Sequence, residues 1–446
     1  MLEITNRLKL HLVDIFRHTN ALKLYEEFLQ TQWLSFDEIY QIQWTRLKNL
    51  LDHAYINVPY YHNLFNSIRI HPDDIRCLED FRKLPILTKE IIRANIEDIL
   101  AKNKEMFKPH KKSTGGSTGV PLQFYIDSKA HSASWAFIYR SWHLGGWSPG
   151  DRVVVVGGTS LYPSIYAFKK LLYIKMNNWL TLSAFEMSNN TMKKWINKLR
   201  KFKARYMYAY ASSAYLLAKY FEENSISNIY FDAIFTTAEV LHPKFRETIE
   251  RVFSCEVFDT YGGTDGAGFA FECKEHTGLH CTSENSIIEI LREDGSVAEN
   301  GETGEIISTD LFNYSMPFIR YKVGDIAAYD LNPCNCKRGL PLLKNIQGRS
   351  NDFVTTRNGQ KVHGEFFAHL LHGINWICQF YVVQESTTSL SLYLKLDKPH
   401  SHQEIRWIEN RLKRKFFDMD INISLTENIP KAQSGKFKFI INRTVS

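Results

Sequence analysis

Through the first hundred positions apolar residues recur at three- and four-residue intervals, most clearly in LEDFRKLPILTKEIIRANIEDIL, where Thr88, Lys89 and Glu90 read as a helix cap and first turn. The pattern predicts a helical part over residues 1–110. A loop rich in Ser, Thr and Gly interrupts it from Ser113 to Pro121, and an aromatic helical segment follows from about Ser132 to Leu144. The unbroken apolar run of DRVVVVGG at 151–158 predicts a buried strand, and amphipathic helix then alternates with the short strands YMYAYA, FDAIFTTAE and CEVFDTYGGT. Such alternation specifies an α/β class. From about Ser286 the period falls to two, in SIIEILREDG and TGEIISTDL, with turns at Asp294-Gly295 and Asn300-Gly301, so an antiparallel sheet is expected there. Beyond GRSND at 348–352, the strands ICQFYVVQ and SLSLYLKLD, the helical stripe Ile405, Ile408, Leu412 and Phe416, and the strand INISLTENIP form a small α+β unit. The chain thus divides at 1–110, 111–349 and 350–446, the first two parts forming one large multi-layer region.

Composition narrows the class. With 446 residues the chain has length for two to four domains at roughly 100–200 residues each, and its 44% apolar and 13% aromatic content suits a folded core. Lys plus Arg exceed Asp plus Glu by 55 − 48 = 7, an excess that suits anionic small molecules but lacks the stripe of a nucleic-acid binder. The basic RLKRKFF at 411–417 reads as the solvated face of a helix. Seven cysteines in no regular framework point to a reducing compartment and to clustered thiols as metal ligands. Arg7, Lys9, Asp14 and Arg17 interrupt the apolar N-terminal pattern, unlike a secretory signal, and no stretch reaches the ~20 apolar residues of a membrane span. The expected address is the cytoplasm.

Five short constellations carry chemistry. In STGGSTG, three glycines permit tight turns with converging amides, and Ser113, Thr114, Ser117 and Thr118 add hydroxyl donors, a concavity suited to phosphate. Val120 stands where a P-loop lysine would be, and alone the segment also reads as a polar linker. FDTYGGTDG places an aromatic ring, a hydroxyl and a carboxylate just after a strand, suited to a purine, a phosphate and magnesium, or simply to a strand-ending turn. Asp325 in MPFIRYKVGD can accept from both hydroxyls of a ribose. Arg349 in QGRSND and Lys436 in IPKAQSGKFKF complete the set, and each alone reads as a turn or a solvated charge.

Taken in order with NVPYYHNLF, HPDDIRCLEDFRKLPILTKE and TTAEVLHPKFRETIE, these motifs resemble the adenylate-forming superfamily, on the phenylacetate-coenzyme A ligase branch with its CapK-type relatives from capsular polysaccharide loci. The resemblance covers nearly the whole chain. It implies that Ser113, Thr114, Gly115, Gly116, Ser117, Thr118 and Gly119 hold the β- and γ-phosphates of ATP, that Tyr261 beside Gly262 lies against adenine, and that Thr264 binds the α-phosphate. Asp265 stands where relatives usually place a magnesium-binding glutamate. Glu239 falls near the nucleotide and acyl pocket, or serves as a helix-cap carboxylate. Asp325 and Arg349 fix the ribose. Lys436 matches the catalytic lysine of a mobile C-terminal domain, and Asn351 stands at the hinge.

Cys273 and His280 are separated by six residues in ECKEHTGLHC, and Cys334 and Cys336 share a turn in NPCNCKRG. Three thiolates and one imidazole suit a closed, structural zinc site, with His276 and Cys281 as rival ligands. The branch carries similar pieces. The activity implied is attack of a carboxylic acid on ATP with magnesium, release of pyrophosphate, and transfer of the acyl group to coenzyme A or to an amine or carrier. The alternative is a nucleotide-binding or scaffolding protein of the same fold that has lost the reaction.

Overall fold

The computed structural model describes residues 2–444 apart from 114–121, 159–160, 162–166, 185–186, 188, 264–265, 267, 350–352, 358–360, 364, 372–373, 375, 397, 401 and 431–438. The first hundred residues are helical as their periodicity requires: α1 (Leu2–Arg17), α2 (Ala21–Thr31), α3 (Phe36–Asn57), α4 (Pro59–Ile68), α5 (Leu78–Phe81) and α6 (Lys89–Ala94). A capping box starts α3, with Glu38 N donating to Ser35 Oγ at 3.3 Å and Ser35 N donating back to Glu38 Oε2 at 2.8 Å. Thr88 caps α6 by accepting from Ile91 N at 3.3 Å. Leu47, Leu50, Leu51 and Ala54 bury one face of α3.

A hairpin, β1 (His110–Ser113) and β2 (Gln123–Ile126), leads into α7 (Ser128–Leu144). This helix begins four residues before the expected Ser132, because Asp127 caps it, accepting from Ala130 N at 2.8 Å with one oxygen and from Tyr314 N at 2.7 Å with the other. Then come β3 (Val153–Gly157), α8 (Ala167–Met176), β4 (Trp179–Ser183), α9 (Asn189–Phe202), β5 (Tyr206–Tyr210), α10 (Ala211–Glu223), β6 (Ala233–Thr237), α11 (Pro243–Phe253) and β7 (Glu256–Gly262), whose strands pair in parallel. The antiparallel strands are β8 (Phe269–Glu272), β9 (Leu279–Cys281), β10 (Ser286–Leu291), β11 (Thr303–Asp310), β12 (Tyr321–Asp330) and β13 (Leu342–Arg349).

The expected antiparallel region is not a separate sheet. All eleven strands form one sheet in the order β10-β11-β12-β13-β9-β8-β7-β6-β5-β3-β4. Its two halves meet where β13 pairs with β9, through Leu342 opposite His280 and Leu343 opposite Leu279. Arg140 of α7, wholly buried, ties helix to sheet through Glu284 at 2.6 Å and Thr282 at 3.0 Å.

The C-terminal unit comprises β14 (Phe353–Thr355), β15 (Lys361–His363), α12 (Glu365–Leu371), β16 (Ile377–Ser386), β17 (Ser389–Leu396), α13 (His402–Lys415), β18 (Asp420–Leu425) and β19 (Ile440–Asn442), with a sheet ordered β18-β17-β16-β19. Ile408, Leu412 and Phe416 pack with Val382, Leu390, Leu392 and Leu394 in a core of its own. No described helix is long and apolar enough to cross a membrane.

Candidate functional site

The carboxyl ends of the parallel strands define the site. Tyr210 of β5 lies opposite Thr237 of β6, and Thr237 opposite Thr260 of β7, so the loops that follow emerge together on one edge, where open α/β sheets bind ligands. Tyr261 follows Thr260 and is half-buried. Its hydroxyl donates to Asp325 Oδ2 at 2.8 Å. Asp325 in turn lies opposite Arg349 in the register of β12 and β13. The fold therefore gathers Tyr261, Asp325 and the backbone of Arg349 from three strands.

Gly262 permits the turn after Tyr261. At φ +146 a Cβ there would stand 2.4 Å from the Phe269 ring and 2.7 Å from the Gly268 carbonyl, so only glycine fits. Just past the neighbouring strand β6, Ala238 takes a left-handed φ of 70, and the Glu239 Oε2 beyond it accepts from Ser212 N at 2.9 Å. Tyr210 offers that helix no side-chain cap, so Glu239 supplies one across the strand ends and faces the positive pole of α10. Of the two readings open for Glu239, the geometry thus contains a cap, made to a neighbouring helix.

Ser113 ends β1 opposite Gln123 of β2, and the rest of the Ser/Thr/Gly segment lies between the two strands in sequence. Thr114, Gly115, Gly116, Ser117, Thr118, Gly119, Val120, Thr264, Asp265, Asn351 and Lys436 lie outside the described residues. Phe439, just after the segment that carries Lys436, has its ring 5.6 Å from His242 and 5.7 Å from Phe380. Lys244 Nζ donates to the carbonyls of Ile374 at 3.2 Å and Ile377 at 3.0 Å. The C-terminal unit therefore rests on the turn and helix that follow Glu239.

Under the Tyr261 strand runs a charged network that the sequence did not signal. Arg246 donates twice to Glu272, at 2.9 and 2.7 Å, and Glu272 accepts also from Asp259 N at 2.9 Å. Against the upward push of burial, His276 and Arg246 hold the Glu272 carboxyl below its usual range. Burial, with Glu272 nearby, pushes Asp259 up to about 7, although Thr236 donates to it at 2.7 Å. These partners come from strands and a helix distant in sequence, and no local motif marks them.

Cys273, His280, Cys334 and Cys336 come together, their ligand atoms all within 4.8 Å of one another. The sulfurs of Cys273 and Cys334 are 3.7 Å apart, and Cys336 Sγ is 3.2 Å from His280 Nε2. His280 Nδ1 lies 3.0 Å from the Leu340 carbonyl, which fixes the proton on Nδ1 and leaves the Nε2 lone pair facing the thiols. Burial pushes that imidazole down to about 4, keeping it neutral, while it pushes the Cys273 thiol up to about 12. Buried thiols around a neutral imidazole fit a soft, tetrahedral cation, which supplies the charge that lets thiols ionise. Both rivals stand outside the cluster: His276 turns to Glu272 at 3.2 Å, and Cys281 follows His280 in β9, so its side chain points to the opposite face.

The family model of the CapK C-terminal domain matches residues 354–443. Protein CapK of Staphylococcus aureus is 27% identical over 413 residues, covering 91% of this chain and 90% of that one. Phenylacetate-coenzyme A ligase of Escherichia coli strain K12 is 30% identical over 341 residues, covering 72% of this chain and 74% of the ligase. Among solved structures, 2-hydroxyisobutyryl-CoA ligase in the postadenylation state with 2-HIB-AMP aligns with a TM-score of 0.76 at 20% identity, over 93% of this chain and 91% of that one, which shows a shared fold.

Proposed function

The chain belongs to the adenylate-forming enzymes, on the phenylacetate-coenzyme A ligase branch with CapK, and from that premise we propose that it activates a carboxylic acid as its acyl-adenylate. ATP binds with magnesium at the strand ends. Tyr261 and Gly262 receive the adenine, Asp325 and Arg349 the ribose, Thr264 the α-phosphate, and Ser113 to Gly119 the terminal phosphates. Asp265 holds the metal, and Glu239 borders the nucleotide while capping α10.

A carboxylate oxygen attacks the α-phosphorus, the bond to the bridging oxygen breaks, and pyrophosphate leaves. Lys436, carried on the C-terminal domain that begins near residue 350, neutralises charge between the two anions. Rotation of that domain then admits an acceptor. The acceptor we favour is the thiol of coenzyme A, and an amine or carrier serving surface-polysaccharide synthesis is the competing one. Zinc held by Cys273, His280, Cys334 and Cys336 supplies a structural cross-link.

The pairing of Tyr261 with Asp325 supports this reading, because an aromatic ring suited to a purine stands beside a carboxylate suited to a ribose, with Arg349 opposite in register. Pyrophosphate release, screened over aryl, fatty and amino acids with ATP and magnesium, tests it. Acid-dependent release is expected, and added coenzyme A then consumes the adenylate. ATP binding without release for any acid would instead make the protein a nucleotide-binding scaffold.

A further inference from the structure

Four basic side chains from α1, β1 and α7 converge beside the β1–β2 hairpin. His110 and Lys112 alternate along β1, so both point to the face on which their register partners Ile126 and Phe124 are buried. Lys112 is half-buried there. His131, in the first turn of α7, is 5% exposed, and its ring centre lies 6.3 Å from that of His110. Arg17, in the last turn of α1, brings Nη2 to 2.9 Å from His131 Nε2 and sets its guanidinium 5.0 Å from the centre of the Tyr173 ring of α8. A guanidinium only donates, so Nε2 accepts and the ring proton sits on Nδ1. That buried N–H has no acceptor among the described residues, and folded proteins rarely leave such a donor unanswered.

Charge points the same way. Burial, with Arg17, Lys112 and His110 adding to it, holds His131 well below the usual imidazole range, and burial with Arg17 also lowers the Lys112 ammonium. Asp14, one turn before Arg17, turns its oxygens away to Leu22 N at 3.0 Å and Thr19 Oγ1 at 2.6 Å. Among the described residues no carboxylate offsets the basic groups around His110, Lys112 and His131. A guanidinium fork, an ammonium and an aimed imidazole N–H, held together without a counter-charge, match an anion with several oxygens. We propose that Arg17, His110, Lys112 and His131 form a binding site for a phosphoryl dianion. The site stands at the root of the Ser/Thr/Gly segment, because Lys112 adjoins Ser113. Its ligand has two sources, inorganic phosphate or the terminal phosphate of a nucleotide, and the same four residues meet either. Binding of inorganic phosphate alone is independent of the adenylation chemistry.

Calorimetric titration of the full-length protein with inorganic phosphate in low-salt chloride buffer tests it. Wild type should bind with a Kd of about 1 mM or tighter, and phosphate should raise its melting temperature. Arg17→Gln, and separately the milder Lys112→Gln, should each weaken binding at least about tenfold and lose that rise. Saturating ATP with magnesium separates the sources: displacement of phosphate assigns the site to the terminal phosphate of the nucleotide, and undiminished binding assigns it to the free ion. Absence of binding by wild type at about 20 mM phosphate, or equal binding by wild type and Lys112→Gln, would overturn the proposal.

Discussion

Tyr261 and Asp325, 64 residues apart, are joined by a 2.8 Å hydrogen bond from the phenol to the carboxylate. The bond fixes the orientation of the Asp325 carboxylate beside the Tyr261 ring. Tyr261→Phe keeps the ring and loses the bond, so KM for ATP should rise about three- to tenfold, whereas Asp325→Ala should raise it about 10- to 100-fold. Steady-state kinetics at saturating acid would show both, and equal values for the two variants would dissociate the pair from nucleotide binding.

Lys436→Ala should slow acid-dependent pyrophosphate–ATP exchange by about 100- to 1,000-fold while leaving the melting temperature unchanged. Exchange at the wild-type rate would remove the lysine from the chemistry.

Metal analysis of protein purified without added zinc should find about one zinc per chain. Cys336→Ser should lower that content and raise KM for ATP, because the cluster joins the ends of β9 and β13, and β13 carries Arg349 opposite Asp325. Full activity in a zinc-free preparation would refute the link.

Glu284→Ala should destabilise the fold by about 3–5 kcal/mol, since it leaves the wholly buried Arg140 charge unpaired. Arg140→Met combined with Glu284→Leu should recover much of the loss in denaturant titrations.

Burial pushes Asp310 up to about 7 from its ordinary 3.8, with Asp127 adding to the rise and Lys129 opposing it. A carboxyl raised in the folded state favours folding while protonated, and that advantage disappears as pH climbs from about 4 to about 7. Asp310→Asn keeps an acceptor for Phe312 N, which donates at 2.9 Å, and should gain stability over wild type at pH about 8 but not at pH about 4. Thermal melts at the two values measure the difference.

Period and punctuation made most elements legible: the cap at Thr88, the buried run of β3 and the stripe of α13 appear as the residues dictate. Strand order did not. Nothing in the pattern of β9 or β13 says that they pair, because the contact joins residues some sixty positions apart and each strand reads alike beside any neighbour. The start of α7 was also hidden, since Ser128, Lys129 and Ala130 add no apolar stripe and Asp127 acts through its cap. The four metal-site residues, His280 among them, were nameable from residue type and spacing, and the fold adds why the rival His276 stands aside, since it engages Glu272.

The seam between β13 and β9 has a mechanical meaning. With so short a ladder between its halves, the great sheet is buttoned at mid-width, not woven. Chelation should release the button first, and amide exchange at Leu342 and Leu343 should then quicken before that of β3 or β5, so that the Asp325 strand drifts from the Tyr261 strand while each half stays folded.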